Sequence, residues 1–105
     1  MKTINLTAMD AEEVLHKVCV LCDTPDLQED YRITQQQADT LADSIPRNGG
    51  EWAVPEWATE VVRGELADHA LVLRHMSHDQ RRNCRTGEAL TLARQAIRME
   101  AIAES

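Results

Sequence analysis

Residues 55–78 read PEWATEVVRGELADHALVLRHMSH, and this stretch decides the fold class. Pro55 suits the first position of a helix, where its missing N–H costs nothing and its fixed φ already fits. A step of 100° per residue puts Trp57, Val61, Gly64, Leu71 and Val72 on one face. Ala58, Val62, Leu66, Leu73 and Met76 continue that stripe around the next side. Together they cover more than half the girth, wider than the ~100° stripe of an ordinary surface helix. A helix of this kind packs against more than one neighbour. At about 1.5 Å per residue it would be roughly 36 Å long, the longest element of the chain.

Working back from Pro55, Glu51-Trp52-Ala53-Val54 has room only for a short extended run after the turn Arg47-Asn48-Gly49-Gly50. Gly49-Gly50 follows a helix and precedes this extended run, which marks a turn and not a phosphate cradle. Thr34-Gln35-Gln36-Gln37 is a capping-box pattern, and Ala38, Leu41, Ala42 and Ile45 follow at helical spacing. That predicts a helix over 34–45, stopped by Pro46. Residues 23–33 read as a polar, acidic loop with Leu27, Tyr31 and Ile33 as anchors. Before them Thr7 reads as an N-cap with Asp10 as its capping-box acid. Ala11, Val14, Leu15, Val18, Leu21 and Cys22 then predict a helix over 8–22. Thr3 to Leu6 alternates polar and apolar, so residues 3–6 could pair with 51–54 as a minimal two-stranded ribbon.

On the other side of the central helix, Ser77 to Arg85 is polar, basic and poorly periodic. From Glu88 onward Ala89, Leu90, Leu92, Ala93, Ala96, Ile97 and Met99 share one face. This last helix should fold back antiparallel on the central one as a helical hairpin. The expected fold is therefore all-α: four helices in all, the long central one included, with a C-terminal helical hairpin, in one domain over 1–105.

Composition agrees with that class. The chain has 105 residues and no Phe, so its core is built from Leu, Val, Ile, Ala and Met. No stretch approaches 18 apolar residues, so no membrane association is expected. The N-terminus turns acidic before any apolar run of signal-peptide length, and three cysteines is an odd number. Both suit a cytoplasmic chain with reduced thiols.

Charge is uneven. Residues 1–73 carry 14 acidic and 5 basic side chains, whereas 74–105 carry 4 and 6. So acidic a chain repels nucleic-acid backbone over most of its surface, and direct nucleic-acid binding is not expected. The same field attracts a basic protein surface. Asp23, Asp26, Glu29, Asp30, Asp39 and Asp43 are the candidate partner-binding acids. Arg81, Arg82, Arg85, Arg94 and Arg98 form the one basic region, without the interleaved aromatics that stack bases. Those arginines are expected to pair with the acidic half or with a second copy.

Trp52 and Trp57 are either core anchors or an interface hot spot. Trp57 is expected in the core. Trp52 is open between the two and joins the candidate partner-binding residues. Cys19-Val20-Leu21-Cys22 is a CxxC, but it falls near a helix C-terminus, where the dipole opposes thiolate formation. A core role is expected for both cysteines. Zinc would need His75 and His78 as well, and a CxxC on a helix is not the usual zinc-knuckle geometry. No metal, cofactor or catalytic residue is therefore assigned. The only serines are Ser44, Ser77 and Ser105, and none stands in a Gly-flanked elbow.

The segment TGEALTLARQAIRMEA resembles the second-helix region of a tetratricopeptide unit, through its Gly, Ala-Leu and Ala-Ile spacing. That resemblance implies generic helical-hairpin packing. In size, acidity and lack of catalytic motifs, the whole chain resembles small phage-encoded inhibitors of bacterial defence, anti-CRISPR proteins in particular. No motif defines that group, so it carries no site residue over. It implies a non-enzymatic protein that blocks a basic, nucleic-acid-handling host surface, such as a CRISPR surveillance complex, in the host cytoplasm. The alternative is a cellular helical adaptor or regulatory subunit that holds a partner helix in the groove of its C-terminal hairpin.

Overall fold

The first helix starts where the local chemistry says it should. The Thr7 hydroxyl accepts from the Asp10 amide at 3.1 Å, and the Asp10 carboxylate accepts from the Thr7 amide at 3.2 Å. This reciprocal capping box satisfies two donors that a helix start leaves open. The computed structural model describes residues 2–104. It contains strand β1, Lys2–Leu6, then helices α1, Ala8–Cys22, α2, Pro25–Tyr31, and α3, Gln35–Ser44. Strand β2, Gly50–Val54, and a 3₁₀ turn, Glu56–Ala58, lead into α4, Thr59–Arg82, and α5, Thr86–Glu104. The class is all-α, with five α-helices and one two-stranded antiparallel sheet. The chain divides into two compact units, Met1–Val62 and Arg63–Ser105, and α4 begins in the first and continues in the second.

In the first unit, α1 is the element that touches β1, α2 and α3. It buries Ala11, Val14, Val18 and Leu21, and α3 contributes Ala38 and Leu41. The ribbon pairs Lys2 with Val54 and Leu6 with Gly50, so Ile4 stands opposite Trp52. Period-two alternation then turns Ile4, Leu6, Trp52 and Val54 to the same buried side. Two strands alone are marginal in water. Here they lean on α1 and α3.

Four expectations are corrected in this unit. Residues 25–31 are helical, not loop. Pro25 occupies the first turn of α2, and Arg32, at φ 57°, closes it. The Arg32 amide donates to Glu29 O at 3.0 Å and the Ile33 amide to Gln28 O at 2.9 Å, a Schellman closure. Next, the central helix does not begin at Pro55. Pro55 is extended, at ψ 147°, and precedes the 3₁₀ turn. Three residues per turn instead of 3.6 shift the phase, so Trp57 is 40% exposed while Ala58 is buried. Trp57 is not a core residue. Finally, Cys19 is exposed and Cys22 only half-buried, so neither is a core cysteine.

In the second unit, Leu66, Ala70, Leu73 and Ser77 recur on α4 as one buried row. Ala89, Ala96, Met99 and Ala103 are buried on α5. The Ser77 hydroxyl donates to Ala89 O at 2.6 Å, and Arg74 makes two hydrogen bonds to Glu100, at 2.6 and 2.7 Å. These contacts run antiparallel, as a helical hairpin requires. The guanidinium holds the Glu100 carboxyl below its ordinary value. The pair's contribution is therefore present above the ordinary carboxylate range and fades as pH falls below it.

Residues 77–82, expected to be irregular, are helix. Another Schellman closure ends α4: Cys84 sits at φ 63°, its amide donates to Arg81 O at 3.1 Å, and the Arg85 amide donates to Gln80 O at 2.8 Å. Leu71 and Val72, expected on the packed stripe, are exposed. The packed face of α4 is thus narrower than its apolar girth.

Candidate partner-binding surface

The acidic candidates belong to three helices that pack on one another in the first unit. Asp23 follows the last residue of α1, Asp26, Glu29 and Asp30 lie on α2, and Asp39 and Asp43 lie on α3. All six are exposed. On α2 the packed residues are Leu27, Gln28 and Tyr31, which turns the three acids to solvent as a group. Asp39 and Asp43 stand one turn apart on the outer side of α3.

Buried Gln28 joins the pieces. Its Nε2 donates to the α1 carbonyls of Leu21 and Cys22, at 3.1 and 3.0 Å, and to Gln35 Oε1 at 3.0 Å. Gln35 Nε2 in turn donates to Asp39 Oδ1 at 2.9 Å. One amide therefore satisfies the end of α1, docks α2 and, through Gln35, orients a carboxylate of α3. Sequence reasoning missed Gln28 and Gln35. A lone amide inside an acidic heptapeptide is the only local signal, and it does not reveal a partner seven residues away.

The acids are placed against helix stability. None of α1, α2 or α3 carries a basic residue in its last turn. Asp23, Asp30 and Asp43 sit at those three negative ends, each opposed by the dipole by about 0.3–1 kcal/mol. Arg32, the C-cap of α2, stands two residues beyond Asp30.

Cys22 belongs to the same neighbourhood. Burial, then the Asp39 charge and its hydrogen bond, then Cys19 and Asp23, push its thiol up from 9.0 to about 11. The folded chain thus holds this proton more tightly than the unfolded one. Its stabilising effect is full below pH 9 and is lost as pH rises through about 11. Iodoacetamide at pH 8 should modify the exposed Cys19 and Cys84 first, with Cys22 at least tenfold slower by mass spectrometry. Equal rates at the three sites would contradict this placement.

Trp52, the remaining candidate, has no exposed surface. Its indole N–H donates to Ser44 Oγ at 2.9 Å, so it is a core side chain and offers nothing to a partner. Cys19 and Cys22 lie on α1 and His75 and His78 on α4. Among the described residues, no group of three or more His, Cys, Asp or Glu is placed to hold a metal. Nor is any helix long and apolar enough to cross a membrane. In comparisons with known proteins, no family model, no curated protein and no solved structure matches this chain.

Proposed function

We propose that this chain is a non-enzymatic binding protein whose acidic α1–α2–α3 face occupies a basic surface of a nucleic-acid-handling protein. The observation that carries this reading is the exposure of Asp23, Asp26, Glu29, Asp30, Asp39 and Asp43 together on three packed helices whose last turns hold no basic residue. Acids kept where they cost stability point to selection for the field they project. An inhibitor of a CRISPR surveillance complex would use that field to compete with nucleic-acid backbone for the same basic groove.

The test is a charge reversal at Asp26, Glu29 and Asp30 to Lys. A Lys at 26 opposes the α2 dipole and one at 30 favours it, so melting should be nearly unchanged. Association with a purified surveillance complex should slow by tenfold or more at low salt. Rising salt should slow the wild-type chain toward the variant. Equal association rates for the two chains would remove the acidic face from function. The adaptor reading draws on a different feature, the exposed apolar residues of the hairpin.

A further inference from the structure

Independently of the acidic face, we propose that one face of the α4–α5 hairpin is a self-association surface on which a second copy packs antiparallel. On α4, Leu71, Arg74, His78 and Arg81 follow steps of three and four and form one row. On α5, Leu90, Ala93, Ile97, Ala101 and Glu104 do the same. The Arg74–Glu100 ion pair joins the two helices on this side, and Arg74, Ser77, His78, Arg81 and Ala93 line one shallow hollow between them. Both rows therefore border the same groove.

The large apolar side chains of this face are not packed. Leu71 is 56% exposed, Leu90 46% and Ile97 57%. Burying apolar area of this kind is what drives association; α5 supplies two of these three residues and α4 one. Ala93 and Ala101, between and beyond the large residues of α5, leave room for another helix to approach.

Charge selects the occupant. Apart from the Arg74–Glu100 and Arg85–Glu88 pairs within the chain, the turn end of the face carries Arg81, whereas the open end carries Glu104. Glu88 lies two residues from Leu90, off this row, and faces Arg85 at 3.9 Å. A twofold-related copy brings the basic end of each hairpin over the acidic end of the other. A partner helix of one sign would meet like charge at one end. Two hairpins packed this way complete a four-helix arrangement whose apolar contacts come from Leu90 and Ile97 of each α5 and Leu71 of each α4. A helix pair about 28 Å long presents on the order of 500 Å² per copy, or about 1,000 Å² in total, the low end for specific association. A micromolar dimer is therefore expected.

The test is sedimentation equilibrium of the full chain from about 1 to several hundred micromolar. Wild-type chain should shift from one to two chain masses across that range. Ile97→Glu and Leu90→Glu, both at exposed positions, should each weaken the dimer by tenfold or more with unchanged helical circular dichroism. Arg81→Glu should weaken it as well, and adding Glu104→Arg to the same chain should restore it, because the two sites meet only across an antiparallel pair. A chain that stays monomeric at the highest concentration overturns the proposal. So does a dimer indifferent to Ile97→Glu and Leu90→Glu, or a double charge swap that fails to recover association.

Discussion

Trp52→Ala should lower stability by about 3–5 kcal/mol, the largest loss of any single truncation in the first unit. Trp52 is the bulkiest of the fully buried side chains. Its removal leaves a cavity beneath the ribbon that Ile4, opposite it, and Val54, on the same face, cannot fill without moving backbone. The lost hydrogen bond matters less. Ser44 keeps its own bond, donating to Leu41 O at 2.6 Å, and is open to water, so no buried group is orphaned. Trp52→Phe removes the N–H together with part of the bicyclic ring, and so leaves a smaller cavity than alanine. Its cost should be about 1–2 kcal/mol. Urea unfolding followed by circular dichroism reads both, as a falling midpoint at constant slope. A loss below about 1 kcal/mol for the alanine variant would return Trp52 to the surface and to the list of interface candidates.

Gly49→Ala should cost about 2–4 kcal/mol although it adds one methyl group. Gly49 adopts φ +86°, and a Cβ there would stand 2.8 Å from Ala8 N, Leu6 O and Thr7 C. All three atoms are backbone, and that backbone is held from both sides. The Leu6–Gly50 pairing fixes it in the ribbon, and the Thr7–Asp10 capping box fixes it at the start of α1. It has little room to yield. Gly50 supplies the control: at φ +120° it also resists a side chain, yet a Cβ there meets open space. Gly50→Ala should show backbone strain alone, about 1–2 kcal/mol. The difference between the two variants measures the clash, and equal losses would show that Gly49 makes no close approach.

What the sequence determined by itself is what nearest neighbours along the chain determine. Thr7 with Asp10, and Thr34 with Gln37, each carry both halves of a capping box within four residues. The starts of α1 and α3 were therefore legible to within a residue. The ribbon was legible from alternation, the hairpin from the apolar periodicity of residues 88–99, and the acidic excess of residues 10–43 from composition. That excess still had to be sorted, because Asp10 spends its carboxylate on a cap while the α2 and α3 acids face water.

Tertiary structure decided the rest, because those outcomes depend on partners distant in sequence or on the phase of a turn. Helix α2 is seven residues long, too short to hold by propensity, and Gln28 anchors it on carbonyls of α1. Of the two tryptophans, five residues apart, Trp57 was turned outward by a single 3₁₀ turn that breaks the helical phase, while ribbon register turned Trp52, open between core and interface, inward. An apolar girth on α4 states which side chains water disfavours. Only tertiary packing determined that Leu66, Ala70 and Leu73 would be covered and Leu71 left exposed, since burial belongs to the pair of surfaces and not to one helix alone.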